Sequence, residues 1–201
     1  MAKLGPLVSQ LSSLIHILKS DIHRGGQISN HLQEWKNLTG DKAIIDIIIN
    51  GLKLNFTKIP SLSTSREYPR PSSETLAIDH EVQKLLSIGV ITPSFHEPGE
   101  NFSNLFTVPK PDESRRTILN LKNLNLSCST SHFKMDTIYS ALKLVSKNCL
   151  FASIDLKDAF FSVPVNKDHH KFLKCIWKGK IYKFTCMPNV IRMQCVFLIN
   201  P

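Results

Sequence analysis

The chain has 201 residues, 42% of them apolar, and a formal net charge of +9. That length suits one ordinary domain, with room for a small second lobe, and excludes a large multidomain enzyme. The apolar content excludes wholesale disorder, and no run reaches the roughly 18 apolar residues that a membrane span needs.

Residues 1–26 are mixed in character and form an N-terminal segment with an apolar patch at Leu14–Leu18. Gly5, Pro6 and scattered Ser and Gln make it a poor secretory signal, so an intracellular product, cytoplasmic or nuclear, is expected. Ile28, Leu32 and Trp35 recur at helical spacing. Asp41 is placed to cap a second helix over Ala43–Ile49, and Gly51 to end it. Residues 27–56 thus form a helical lead-in.

Residues 57–73 carry three prolines among many Ser and Thr, which predicts an extended linker across a surface. Ser72 or Ser73 then caps a helix with Glu74 in its first turn. Ile78, Val82, Leu85 and Leu86 form its apolar stripe, and Gly89 stops it.

Residues 103–109 and 115–121 read as two strands joined by a Pro- and Asp-containing turn, with Lys110, Arg115 and Arg116 at or near it. Asp136 is placed to cap a helix whose inner face is Ile138, Leu142 and Val145. Residues 150–156 alternate as a strand, with Leu150, Ala152, Ile154 and Leu156 on one side and Asp155 on the other. A second hairpin spans 171–177 and 180–185, turning at Lys178-Gly179. Helices, hairpin, helix, strand and hairpin in that order predict an α+β domain on an antiparallel sheet.

Five cysteines without a C-x-x-C pair fit reduced thiols, and neither they nor the eight histidines show zinc-ligand spacing. The adjacent His169 and His170 are expected on a solvated surface. The charge is uneven. Residues 1–100 hold ten basic and ten acidic residues, whereas residues 101–201 hold fifteen and six. Confinement of the excess to one half suggests a polyanion-binding face, against the plainer reading of a Lys-rich solvated surface.

The chemistry concentrates in "FASIDLKDAFFSVPV", residues 151–165. Asp155 ends a strand, and Asp158 follows three residues later, before Phe160 and Phe161. Such a carboxylate in a basic half either pairs with Lys or Arg or holds a hard divalent cation. A bare D-x-x-D does not choose between them.

Residues 103–125, "SNLFTVPKPDESRRTILNLKNLN", together with 150–165 and "YKFTCMPN" at 182–189, resemble the fingers and palm of a reverse transcriptase. They are similar to retrotransposon enzymes of the DIRS type, as is the upstream "HLQEWKNLTGDKAIIDIIINGLKLNF". The resemblance is collinear over residues 27–197. It implies fingers and part of the palm of a right-hand polymerase over residues 74–201. The implied activity is template-directed DNA synthesis from deoxynucleotides with two Mg²⁺ ions.

The resemblance also implies residue roles. Asp155 corresponds to the first catalytic, metal-binding aspartate. Asp158 and Ala159 correspond to positions whose backbone N–H groups hold the nucleotide phosphates. Phe160 corresponds to the bulky residue that excludes a ribose 2′-hydroxyl, with a core aromatic as the plainer alternative; Phe161 is read as core. Arg116 corresponds to the arginine over the incoming nucleotide, and Lys110 lies near a phosphate-binding lysine. Lys122 and Asn189 lie near template-binding positions, with a solvated surface the equal alternative for Lys122.

Two departures stand out. Val190 occupies the place of a glycine that lets backbone approach nucleotide and template. The "YxDD" motif carrying the paired catalytic aspartates does not occur in these 201 residues. A truncated domain, inactive alone, is therefore expected. A non-catalytic nucleic-acid-binding module and a decayed gene product without function stay open.

Overall fold

The computed structural model describes residues 24–60, 67–111, 115–129, 137–143, 145–147, 149 and 158–188. The expected N-terminal patch, the strand at 150–156 with Asp155, and Asn189 and Val190 lie outside them, as does Asp136.

Gln27–His31 forms a 3₁₀ turn leading into α1 (Leu32–Leu38), and α2 follows over Lys42–Asn50. The Asp41 carboxylate accepts from Ala43 N–H at 2.7 Å, satisfying one of the otherwise unpaired first-turn amides. Gly51 ends α2 at φ 80°, ψ 156°, a region essentially closed to other residues. A Cβ there would also lie 2.6 Å from backbone atoms of Val165 and Asn166. That close approach lets Leu52 N–H donate to Pro164 O (2.8 Å) and Asn166 N–H to Leu52 O (3.0 Å). Leu52 and Leu54 thereby enter the main core with Val163, Val165 and Leu173.

Helix α3 spans Ser72–Ser87 and buries Ile78, Val82 and Leu85. Neither Ser72 nor Ser73 caps it. Pro71 takes that place in an extended conformation, and its carbonyl accepts from Glu74 and Thr75 N–H at 3.1 Å each. Proline's fixed φ fits the position, which pushes the serines into the first turn. Gly89, at φ 73°, follows the helix end.

Strands β1 (Ile91–Pro93), β2 (Leu105–Pro109), β3 (Arg115–Leu119), β4 (Lys174–Trp177) and β5 (Lys180–Phe184) make two antiparallel sheets, β1-β5-β4 and β2-β3. The architecture is α+β. A one-turn helix, α4, covers Lys122–Asn125, started by the Asn120 side chain accepting from Lys122 N–H at 3.1 Å. Strand β4 begins later than the alternation implies, because Lys167–Phe172 coils into a 3₁₀ turn opened by the Asn166 side chain on Asp168 N–H.

Helix α5 (Ile138–Leu142) forms, but its expected inner face does not bury. Ile138, Leu142 and Val145 are 68%, 57% and 43% exposed. Periodicity marks an apolar stripe, whereas burial needs a surface opposite it, and none of the described residues supplies one.

The linker residues on either side of 61–66 adopt no regular element and are tied down at both ends. Thr57 N–H donates to Ser127 O (2.8 Å), and the Glu67 carboxylate accepts from Lys178 and Gly179 N–H at the β4–β5 turn. Lys178, at φ 49°, and Gly179, at φ 70°, present consecutive amides to it. Asp79 of α3 accepts from Trp177 Nε1–H (2.8 Å) and Lys178 Nζ (2.6 Å) on the same hairpin.

His169 and His170 are not a solvated pair. His169 Nδ1 accepts from Leu54 N–H at 2.8 Å, and its ring stacks on Phe56. His170 Nε2 bonds Val165 O at 2.9 Å. The 3₁₀ turn sends the two rings into different contacts, which adjacency in sequence conceals. Burial holds the His169 imidazole below its ordinary pKa, opposed by Asp168, with smaller downward pushes from Lys171 and Lys53. Burial, aided by Lys183 and Lys167 and opposed by the Val165 carbonyl and Glu97, does the same to His170. A lowered native pKa means that the unfolded chain binds protons first. Stability is therefore full above the ordinary histidine pKa, roughly 6.5, and falls as pH drops through it. Urea midpoints should fall between pH 7 and 5.5. His169→Asn, whose Oδ1 can replace Nδ1 as acceptor, should flatten that fall; an unchanged profile would exclude His169 as a source.

Candidate nucleic-acid and nucleotide site

The β2–β3 hairpin sorts its residues by alternation. Val108 pairs with Arg116, Phe106 with Ile118, and Thr107 with Thr117. Directly opposed residues share a face, so Phe106, Val108, Arg116 and Ile118 lie together, and Thr107, Arg115 and Thr117 lie on the other side. The second set faces α3. Arg115 Nε donates to Thr107 Oγ1 (2.7 Å) and Nη2 to Glu74 Oε1 (2.8 Å). Thr117 Oγ1 donates more weakly to Ala77 O at 3.4 Å. Of two adjacent arginines, one is committed to the helix, and Arg116 is exposed on the opposite face. No described carboxylate lies within ion-pair distance of Arg116, Lys110 or Lys122.

The Arg116 face runs into an open groove of about 450 Å³ between the hairpin and α4. Phe106, Ile118, Leu121, Lys122, Asn125 and Leu126 line it. Phe106 and Leu126 are 36% and 59% exposed, although Leu121 beneath them is buried. A cationic rim beside apolar and aromatic surface can hold a phosphate backbone and stack bases. The structure thus brings Arg116 and Lys122 to one side. The aromatic member, Phe106, was readable in principle from the alternation of "LFTVP", but the groove needs Leu126 from beyond the strand.

The second cluster is the turn at Asp158. Asp158 is left-handed (φ 52°, ψ 31°) and precedes a 3₁₀ turn over Ala159–Ser162. A left-handed residue followed by right-handed ones turns consecutive N–H groups to one side, making a small anion-binding concavity. The conformation is held by Phe161 N–H on Asp158 O (2.9 Å) and Gly26 N–H on Phe161 O (2.8 Å). The Asp158 carboxylate pairs with Lys84 of α3 at 3.4 Å, so it is committed to a cation of the protein. Phe161 is buried, as expected for core, and Phe160 is half-buried against that core with part of its ring accessible.

Helix α3 serves both clusters. Glu74 near its start holds Arg115, and Lys84 near its end holds Asp158. Ten residues of helix separate them by about 15 Å.

Among the described residues, no group of three or more His, Cys, Asp or Glu is arranged for a metal ion. Asp155, the carboxylate that the resemblance assigns to Mg²⁺, lies outside them. The described residues supply no ligand set for Mg²⁺. Cys128, Cys175 and Cys186 are buried free thiols. Burial pushes Cys175 up to about 12 and Cys186 to about 11, which suits packing and not nucleophilic chemistry. None of the described helices is long and apolar enough to cross a membrane.

No protein-family model matches the chain. In sequence it is similar to the transposon Tf2-3 polyprotein of Schizosaccharomyces pombe, 24% identical over 186 residues, covering 90% of this chain and 13% of that protein. The chain therefore spans about an eighth of the curated relatives it matches. In structure it is similar to the foamy viral protease-reverse transcriptase in complex with an RNA/DNA hybrid. That match has a TM-score of 0.55, 22% identity, and 71% of this chain against 19% of the other. The native protease-reverse transcriptase of prototype foamy virus matches with a TM-score of 0.52 at 18% identity, over 89% of this chain and 25% of the other. The chain thus has the fold of part of these reverse-transcriptase chains and the sequence likeness of retrotransposon polyproteins.

Proposed function

We propose that the chain is a reverse-transcriptase-like segment of retroelement origin that binds a template strand and an incoming deoxynucleotide. The carrying observation is the shared face of Phe106, Ile118 and Arg116, which continues into the groove beside Lys122. Arg116 and Lys110, which the resemblance sets at the incoming nucleotide, would also meet template phosphates together with Lys122, since Arg116 shares its face with the groove, and bases would stack on Phe106. The amides of Asp158 and Ala159 would take nucleotide phosphates, and Phe160 would fill the space of a 2′-hydroxyl. The DIRS-type lineage is supported by the lead-in at 31–56, and the product would be intracellular.

In this reading Asp155 carries the metal-binding role, and Asn189 lies by the template. These 201 residues contain no adjacent aspartate pair, so alone they bind without polymerising. Mixed with an RNA template annealed to a DNA primer, deoxynucleotides and Mg²⁺, the chain should bind the hybrid and leave the primer unextended. No binding at low salt would remove the proposal. Extension that Asp155→Ala abolishes would replace it with an active polymerase. The second reading, a binding module without nucleotide chemistry, is supported by the same exposed cationic face and requires binding unaffected by Asp155→Ala.

A further inference from the structure

We infer that Glu74 is a positioning residue for polyanion binding: an acidic side chain that strengthens the capture of nucleic acid by fixing the basic hairpin. The inference rests on the proposal that Arg116 and its face meet the template. Glu74 sits in the first turn of α3, and its side chain is 26% exposed. Its Oε1 accepts from Arg115 Nη2 at 2.8 Å, and Arg115 also donates through Nε to Thr107 at 2.7 Å. Arg115 therefore ties both strands of the hairpin to the helix through two fixed directions of one planar guanidinium.

The consequence for the neighbouring residue is geometric. Arg115 and Arg116 are consecutive in a strand, so anchoring one to α3 aims the other away from it. Without Glu74, Arg115 keeps only its bond to Thr107 within the hairpin, and this tie of the hairpin to α3 is lost. The Arg116 face then has to be ordered at the moment of binding. Ordering cost of that kind lowers affinity by a factor of about three to ten for one or two long side chains.

This inference makes a prediction opposite in sign to simple electrostatics. Glu74→Ala removes a negative charge from a chain of net +9 along with the acceptor for Arg115, and by charge alone it should tighten the grip on a polyanion. Positioning predicts weaker binding. The probe is a fluorescein-labelled single-stranded RNA of roughly 20 nucleotides, long enough for several backbone contacts, read by anisotropy at fixed salt. Urea midpoints confirm that each variant is folded. Wild type should bind, Arg116→Gln should bind more weakly, and Glu74→Ala should weaken binding about threefold to tenfold. The exchange Glu74→Arg with Arg115→Glu should recover most of the loss, and adding Arg116→Gln should remove it again.

If wild type binds and Arg116→Gln weakens it, but Glu74→Ala binds as tightly or more tightly, the positioning role is wrong and the template face stands. If Arg116→Gln leaves binding unchanged, the template face falls and the role of Glu74 falls with it.

Discussion

Lys174→Ala should cost about 3–5 kcal/mol of folding stability, because it breaks a buried ion pair from one side. The Lys174 side chain is 0% exposed. Its ammonium donates to Phe95 O at 2.6 Å and Glu100 Oε2 at 2.7 Å and pairs with Glu97 Oε1 at 2.8 Å. Together they hold the loop between β1 and β2 against the start of β4. Removing the lysine leaves Glu97, which is half-exposed and can hydrate, and Glu100, which at 14% exposure cannot do so fully.

The pH dependence identifies the source of the loss. Burial pushes the Glu100 carboxyl up, but hydrogen bonds from Lys174, His96 and Glu97 N–H outweigh it and hold the group below the ordinary range. A depressed native pKa gives stability above the unfolded value, roughly 4.3, and loses it as pH falls below that point. Without Lys174 the burial cost remains and the largest opposing hydrogen bond is gone. Glu100 then protonates more readily, so the deficit of Lys174→Ala relative to wild type should narrow on acidification. Urea midpoints of both proteins at pH 7 and at about pH 4 measure this. A deficit below about 1 kcal/mol at pH 7 would mean that the cluster behaves as an exposed pair.

Lys174 also shows where sequence reading reaches its limit. Helix α2, bounded by Asp41 and Gly51, was legible because its signals lie within a dozen residues and act through backbone hydrogen bonds. The stripe of α3 and both hairpins were legible for the same reason. A lysine in "FLKCIW" reads as solvated, since its partners lie more than seventy residues upstream. His169 is similar, because its acceptor role depends on Leu54, 115 residues away. The exposed side of α5 failed differently: the stripe was real, and its covering surface was not encoded locally. At the candidate site, the sequence resemblance picked out Arg116 and Lys122, which the fold places beside one groove. It did not supply the reason that Arg115 turns the other way, because its partner Glu74 lies forty-one residues upstream.

Arg116 on the groove face, Lys122 in the groove and Lys110 just past β2 have a measurable consequence in salt. Each phosphate contact contributes a slope of about −0.7 to −0.9 to log affinity against log salt. If Lys110, Arg116 and Lys122 make three such contacts, they contribute about −2 to −3. Raising salt fourfold, from roughly 50 to 200 mM, would then weaken binding about 20- to 40-fold through these residues alone. The combined Lys110→Gln, Arg116→Gln and Lys122→Gln variant should lose that share and titrate with a much shallower slope. The alternative is binding spread evenly over the fifteen Lys and Arg of residues 101–201. Removing three of fifteen would then take only about a fifth of the slope. The control is Lys167→Gln with Lys171→Gln, since these lysines lie on the separate 3₁₀ turn of His169 and His170. A local face predicts that this pair barely moves the slope, whereas diffuse attraction predicts a loss per charge equal to that of the hairpin set. Equal losses per charge would return the basic half to the status of a solvated surface and remove the template groove with it.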